Sequence, residues 1–257
     1  MMYMKRDLPL KKLAILIILP LIISTSTTSI THLTKADSEI IYYAKTIKYP
    51  TPNVPEPVLN DGIFNITVEL SSTTTWSNAT VYNETHQITA TLINARYDDE
   101  NKVWQLSFDL PKGFSEGAYG INLAYNGGTI QQPRCLWIMP QWPKTLKILA
   151  GGDVKPEGLP YYWEMMKEAN LINPDVILNL GDLVNVPTTA TEWKRFLEPH
   201  MQFKDPMYVI PGNHEYSGVG KSQIYEDIIG PINWTATVGN FLFVGCLLYT
   251  SPSPRDS

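Results

Sequence analysis

The chain has 257 residues, enough for one large domain or two ordinary ones. Its composition, 44% hydrophobic and 18% charged, is that of a globular protein and not of a disordered or fibrous one. The formal net charge is -5 and no basic block follows the N-terminus, so no nucleic-acid-binding surface is expected. The two cysteines, Cys135 and Cys246, are too few for a disulfide framework.

The first 30 residues have the pattern of an export signal. Lysines and an arginine precede an apolar run at 13–23, and small and hydroxylated residues follow it. The apolar run is shorter than the roughly 20 residues that a spanning helix needs. We therefore expect residues 1–30 to be a signal peptide or an uncleaved anchor, which makes a membrane tether possible. The protein is expected to be exported, to the extracellular space or cell surface. Four N-x-[ST] sequons are compatible with an exported surface: Asn65, Asn78, Asn83 and Asn233.

The C-terminal residues 246–257, "CLLYTSPSPRDS", do not continue the pattern before them. They follow "GNFLFVG", which is typical of the start of a buried strand. The string resembles one translated frame of a transposase adapter used in DNA library preparation. We therefore interpret 246–257 as a sequencing scar. The natural protein is expected to continue past Gly245, so that this chain is a fragment of it.

Residues 40–140 have the pattern of an all-β domain. Alternating segments such as "IFNITVELSS" and "VWQLSFDL" are separated by turn sequences, with no helical periodicity. This pattern predicts an immunoglobulin- or fibronectin-like β-sandwich. The Pro-rich stretch "YPTPNVPEPVLNDG" is predicted to be an extended linker or an edge strand. The single histidine of this region, His86, is interpreted as structural or as a surface residue.

Residues 145–245 have a different hydrophobic pattern. Three apolar runs end in "GGD", "GD" and "GNHE", and segments with helical spacing separate them. Thr191 is a predicted N-cap of the second helix. The order β-α-β-α-β implies a parallel, buried sheet with helices on its faces. Ligands of such sheets bind at the carboxyl ends of the strands. Asp153, Asp182, Asn213 and His214 are expected there.

Carboxylates gathered at one sheet edge repel each other unless a cation lies between them. Asp and Asn oxygens suit Mg, Mn or Fe, and histidine suits Zn or Fe. Two ions about 3.5–4 Å apart, bridged by a carboxylate, would activate a water and hold a phosphoryl group. The strand ends therefore favour a hydrolytic two-metal site.

The three motifs, at 151–153, 181–185 and 212–215, resemble the first blocks of the calcineurin-like metallophosphoesterases. The β-domain in front is similar in layout to the purple acid phosphatases. The resemblance implies that 145–245 is the first half of an α/β metallophosphoesterase domain. It implies hydrolysis of phosphomono- or phosphodiesters by hydroxide activated by two divalent or trivalent ions, Fe, Mn or Zn.

The resemblance also implies a role for each matching residue. Asp153 would bind the first metal, Asp182 would bridge both metals and Asn213 would bind the second. His214 would be catalytic, stabilising phosphoryl oxygens or protonating the leaving oxygen. Glu215 would hold that histidine in place and not touch a metal.

Two positions depart from the family pattern. Lys155 stands where a metal-binding histidine is usual, and Asn185 stands where purple acid phosphatases have a tyrosine. An ammonium cannot ligate a metal. The site would then bind the first metal more weakly, or the Lys155 ammonium would partly replace that ion's charge. A third possibility is that Lys155 is a solvated loop residue.

The family's later histidine ligands are absent from the chain. The remaining histidines are His32, His86 and His200, and His200 closes a helix, which does not favour a ligand role. The complete metal site therefore cannot be built from these residues. The alternative function is a cell-surface binding or adhesion protein with a degenerate, non-catalytic phosphoesterase domain. A nucleotide-binding domain is excluded, because no G-x-G-x-x-G or Walker loop follows the first strand.

Overall fold

A computed structural model describes residues 41–216 and 221–247 of the chain. All of them lie within one unit, Ser38–Ser257. In this described part, every helix is too short or too polar to cross a membrane. The predicted signal or anchor at 1–30 lies outside the described residues, as do residues 248–257 of the predicted scar.

From residue 41 to residue 140, the described chain forms eight strands in one sheet. In chain order they are β1 Ile47–Tyr49, β2 Glu56–Leu59, β3 Ile63–Val68, β4 Trp76–Tyr82, β5 Gln87–Asp98, β6 Val103–Asp109, β7 Gly117–Tyr125 and β8 Gly128–Met139. Their order in the sheet is β1-β3-β6-β5-β4-β7-β8-β2. All neighbours are antiparallel except β2, which runs parallel to β8. The predicted all-β character of this region is confirmed.

The long strand β5 joins the two halves of this sheet. Its residues 87–90 pair with β4, and residues 91–98 pair with β6. Phe64 of β3, Val81 of β4 and Ile121 of β7 are fully buried in the same hydrophobic core. The two halves therefore share one core. The immunoglobulin- or fibronectin-like identity of the domain stays a prediction.

The Pro-rich segment is not a free linker. It forms an edge strand, and its buried residues hydrogen-bond to the C-terminal part of the chain. Its last residues form β2 at the end of the sheet. Thr51 and Asn53 are fully buried. The Thr51 hydroxyl donates to the Ile229 carbonyl at 2.7 Å, and the Asn53 carbonyl accepts the Val209 N–H at 2.9 Å. The segment therefore joins the β-domain to the C-terminal part of the chain through buried hydrogen bonds.

The C-terminal part contains nine further elements in the described residues. They are β9 Ile148–Gly151, α1 Leu159–Ile172, β10 Val176–Asn179, α2 Ala190–His200, β11 Met207–Val209, α3 Asn213–Tyr216, α4 Lys221–Ile228, β12 Trp234–Val238 and β13 Phe241–Gly245. Strands β9, β10 and β11 form a parallel sheet in the order β11-β10-β9. The predicted β-α-β-α-β order is confirmed, and its three strand ends lie at one edge.

Helix α1 shows why the apolar spacing was informative. It carries Pro160 in its first turn, where the missing N–H costs nothing. It ends at Asn173, which is left-handed and donates its N–H to the Ala169 carbonyl at 2.7 Å. Tyr162, Met166 and Ala169, which recur at helical spacing, are buried in the same core as residues of the sheet.

Two local predictions were wrong. The strand in "NFLFVG" is not buried on both faces, because β13 pairs antiparallel with β12 and leaves Leu242 and Val244 more than half exposed. The sequence of β13 is uniformly apolar, so it did not indicate that more buried and more exposed side chains alternate along the strand. Helix α2 begins at Ala190 with Thr189 as its N-cap, so Thr191 is not the cap.

His200 is a buried structural residue, as its position at a helix end suggested. Its Nδ1 lies 3.0 Å from the Tyr162 hydroxyl, and its ring lies 4.8 Å from that of Phe196. Burial, and to a lesser extent the charge of Arg134, lowers the pKa of His200 to about 3. The histidine is therefore neutral in the folded protein at neutral pH.

We expect this histidine to weaken the fold in acid. Its pKa is lower in the folded state than the ordinary 6.5, so protons bind preferentially to the unfolded state as the pH falls below 6.5. Well above pH 6.5 the protonation of His200 takes nothing from the free energy of unfolding. As the pH falls, stability is lost with a slope that rises to about 1.4 kcal/mol per pH unit well below pH 6.5, so that about 2 kcal/mol is lost between pH 6.5 and 4.5. Urea unfolding of wild type and His200→Gln across this range measures the difference between their slopes.

The difference in slope between wild type and His200→Gln is the relevant quantity, because Asp205 changes the free energy of unfolding in the opposite direction as the pH falls. Burial raises the pKa of Asp205 to about 6, so its protonation in the folded state adds stability in acid in both proteins. His86→Gln is the control, since His86 is exposed in a turn of the β-domain. Parallel pH profiles for wild type and His200→Gln would contradict the expected role.

Candidate active site

The first two strand ends both place an aspartate in left-handed backbone. Asp153 follows β9 with φ +59°, and Asp182 follows β10 with φ +54°. This conformation is uncommon outside glycine, although Asp and Asn adopt it more readily than most residues. The Asp153 N–H donates to the Gly181 carbonyl at 2.9 Å, and the Lys155 N–H donates to the Asp182 carbonyl at 2.8 Å. The two loops are thus fixed to each other through their main chains.

Glycines allow the second and third loops to meet. A Cβ on Gly181, which has φ +91°, would lie 2.3 Å from the Gly212 nitrogen. A Cβ on Gly212 would lie 2.0 Å from Asp182 Oδ1. Any side chain at either position would displace the Asp182 carboxylate or the backbone beside it.

Glu215 ties the β10 and β11 loops together. Its side chain is fully buried. The carboxylate accepts the N–H groups of Gly212 at 2.8 Å and of Asp182 at 3.0 Å. It also accepts those of Leu183 at 2.7 Å and Val184 at 3.0 Å. Burial raises the pKa of Glu215, against the lowering effect of these bonds.

The predicted contact of Glu215 with the neighbouring histidine is replaced by another. The ring Nδ1 of His214 lies 3.2 Å from the Asn185 carbonyl. A carbonyl only accepts, so Nδ1 carries the proton of this bond and Nε2 is the atom left for a ligand. The His214 main-chain N–H faces Asp182 Oδ1 at 3.4 Å. Glu215 therefore holds the Asp182 loop, and Asn185 orients the imidazole.

Asn185 is itself held by two glutamates that the sequence analysis did not identify. Its N–H donates to Glu192 Oε2 at 2.6 Å, and its side-chain amide lies 3.3 Å from both oxygens of Glu157. The Thr189-x-x-Glu192 spacing at the start of α2 is a capping-box pattern that could have drawn attention to Glu192. Nothing in the sequence around Glu157 points to its partner.

Lys155 is not a solvated loop residue. Its Nζ lies 2.9 Å from Asp153 Oδ1 and 4.0 Å from Asp182 Oδ2, and its side chain is 26% exposed. The hydrogen bond to Asp153 raises the pKa of Lys155, and the charges of Asp153, Asp182 and Glu157 raise it further, against partial desolvation. The lysine is therefore an ammonium that faces both carboxylates.

The donor atoms at this edge fit a hard cation. Asp153 and Asp182 offer carboxylate oxygens and Asn213, at the start of α3, offers an amide oxygen on an exposed residue. Within 41–216 and 221–247 there is no group of three or more His, Cys, Asp or Glu side chains that could hold a metal. The described residues thus bring oxygen donors of the type that a hard cation takes to this edge, with an ammonium beside two of them, but no complete set of ligands.

An open cleft of about 500 Å³ begins at the end of β9. Its lining includes Asp153, Lys155 and Glu157 of the loop after β9 and Tyr161 and Met165 of α1. Its volume lies within the roughly 300–1,000 Å³ of small-molecule sites. Tyr161, which is 78% exposed, is a candidate substrate contact that helical spacing alone did not reveal.

The sequence of this region matches a known family. Residues 146–250 match the family model described as calcineurin-like phosphoesterase. This segment belongs to that metallophosphoesterase family. The sequence-based prediction of the family is thereby confirmed. No curated protein matches the chain.

Solved structures similar to the chain share little sequence with it. Purple acid phosphatase PPD1 from yellow lupin (Lupinus luteus) seeds is 13% identical over 71% of this chain, with a TM-score of 0.42. This chain spans 42% of that phosphatase. Amylomaltase from Corynebacterium glutamicum is 13% identical over 50% of this chain and 21% of its own, with a TM-score of 0.27. The titin I-band fragment I67-I69 is 12% identical over 42% of this chain and 36% of its own, with a TM-score of 0.22.

Proposed function

We propose that this chain is the N-terminal portion of an exported, metal-dependent phosphoesterase that hydrolyses phosphomono- or phosphodiesters. The observation that carries the proposal is the convergence of Asp153 and Asp182 at one sheet edge, where a single Lys155 ammonium reaches both carboxylates. His214 joins them through its main-chain contact with Asp182. The family of residues 146–250 supports the same chemistry.

The protein residues would divide the work as follows. Asp153, Asp182 and Asn213 would hold the metal, which when bound polarises phosphoryl oxygens and makes a water more acidic. His214, fixed through Nδ1 by the Asn185 carbonyl, would present Nε2 to the leaving oxygen and, in the imidazolium form that carries a proton on both nitrogens, would give it the Nε2 proton. Glu215 keeps the Asp182 main chain in place. The cleft beside Asp153 would receive the organic part of the ester.

Export is part of the proposal. It is supported by the basic and apolar pattern of residues 1–30. Asn65, Asn78 and Asn233 of the four sequons are exposed, as glycosylation would require. The same N-terminal segment, if uncleaved, would tether the protein to a membrane.

One observation favours a second candidate function. The ion pair between Lys155 and Asp153 occupies a carboxylate that would otherwise bind metal. A cell-surface binding or adhesion protein with a degenerate phosphoesterase domain would tolerate such a pair, because it needs no metal-activated water.

Metal removal separates the two functions. The complete product of the gene, stripped of metal with a chelator, is expected to lose turnover of an aryl phosphate monoester and of the matching diester. Turnover should return with Mn²⁺ or Zn²⁺, but not in Asp182→Asn. The control Asp99→Asn removes an exposed charge in a turn of the β-domain and should behave as wild type. A folded, metal-bound protein without turnover of either ester would support the binding protein.

A further inference from the structure

We propose that Lys155 is a built-in cation of the site, and that the protein binds one divalent metal ion, on the Asp182–Asn213 side, where its family resemblance implies two. The proposal rests on the proposed function, because it concerns the metal content of the same site. It makes Lys155 a residue that determines how many ions the two strand ends accept.

The position of the ammonium is the first support. Its nitrogen is at hydrogen-bond distance, 2.9 Å, from Asp153 Oδ1 and at 4.0 Å from Asp182 Oδ2. A metal ion would bind a carboxylate oxygen at about 2.0–2.2 Å. An ion on Asp153 Oδ1 and the Lys155 ammonium would therefore compete for the same oxygen.

The main chain holds Lys155 inside the site. Its N–H donates to the Asp182 carbonyl at 2.8 Å, and its carbonyl accepts the Gly158 N–H at 2.7 Å. A Cβ on Gly158 would lie 2.3 Å from the Asp153 carbonyl oxygen, so this turn is closed tightly. The lysine side chain thus begins between the two carboxylate-bearing loops and does not have to reach in from outside.

Charge balance gives the same answer. Asp153 and Asp182 bring two negative charges, and the ammonium already offsets one of them. A histidine at this position would add a ligand and, when neutral, no charge. Two divalent ions about 3.5–4 Å apart, with an ammonium beside the first, would place excess positive charge next to the two carboxylates that these strand ends supply.

The other side of Asp182 remains available. Its Oδ1 faces the His214 N–H only at the long distance of 3.4 Å. Asn213 is exposed, and its side chain has no hydrogen bond to the described part of the chain. These two residues provide oxygen donors beside the His214 main chain, so a single ion there would lie close to the residue proposed to handle the proton.

Metal counting tests the inference. The complete product of the gene is freed of metal, titrated with Mn²⁺ by calorimetry, and analysed for bound metal after dialysis. We expect about one ion per chain in wild type and in Lys155→Arg, which keeps the charge. We expect about two, a doubling, in Lys155→His, which replaces the cation with a ligand. The control Lys167→His changes an exposed lysine of α1 and should leave the count at one.

The outcomes are distinct. Two ions in wild type would overturn the inference and leave the proposed phosphoesterase intact. One ion in both wild type and Lys155→His would show that the lysine does not exclude the second ion, which also overturns it. If Lys155→His does not fold, the counts in wild type and Lys155→Arg decide, and two ions in either would overturn it. Binding of no ion by wild type would remove the metal-dependent function itself.

Discussion

Replacing Glu215 with alanine is expected to lower the free energy of unfolding by about 3–5 kcal/mol and to abolish metal-dependent turnover. The buried carboxylate is the shared acceptor of four main-chain N–H groups, from Gly212 and residues 182–184. Each buried donor left without a partner costs about 1–3 kcal/mol, and water entering the vacated space would offset part of the total. The loss of turnover follows because the Asp182 carboxylate is carried by that main chain.

Urea unfolding of the variant measures the effect directly. Glu164→Ala is the matched control, because Glu164 is exposed on α1 and, within the described residues, forms an ion pair with Lys167. Its loss should cost no more than about 0.5 kcal/mol. Glu215→Gln should fall between the two, since its amide keeps one acceptor oxygen. A loss below about 1 kcal/mol in Glu215→Ala would mean that the loops hold their positions without the carboxylate.

The second large effect is expected at His214. Its replacement by glutamine should reduce kcat by about 10²–10³-fold, the usual cost of losing a proton-transfer or charge-stabilising group. The free energy of unfolding should change little, because the residue is only partly buried and, within the described residues, its ring hydrogen-bonds to the Asn185 carbonyl. The measurement is kcat and KM for an aryl phosphate at several pH values.

The pH profile separates a catalytic histidine from a positioning one. Loss of the basic limb of the profile in His214→Gln is expected if Nε2 gives the proton, with KM changed much less than kcat. His86→Gln, in an exposed turn of the β-domain, should match wild type. If kcat of His214→Gln stays within about threefold of the wild-type value, another group must transfer the proton.

The sequence predicted the location of the site better than the hydrogen bonds within it. Asp153 and Asp182 were expected at one edge because parallel strands end together, and this rule depends only on the order of elements. The partners of Glu215 could not be predicted in the same way. They are main-chain N–H groups, which every residue except proline carries, so their positions depend on the path of the loop and not on residue type.

The Lys155 contacts show a similar limit. The sequence revealed an unusual residue, and three interpretations were open. Only the turn closed by Gly158 shows that the side chain starts between the two carboxylates. The prediction that β13 is buried was wrong because its sequence is an uninterrupted apolar run. Such a run does not indicate which side chains alternate toward solvent.

The buried hydrogen bonds from the Pro-rich segment have a consequence for the solubility of the C-terminal part of the chain. Strand β11 is the outer strand of its sheet, and such a strand offers free main-chain groups to any other extended chain. Here the Asn53 carbonyl takes the Val209 N–H, and the Pro55 carbonyl takes the Tyr208 hydroxyl. The Pro-rich segment therefore occupies the β11 edge at Val209 and hinders strand addition beside the Gly212–Glu215 loop. Cut away from it, the α/β segment would expose an edge prone to self-association.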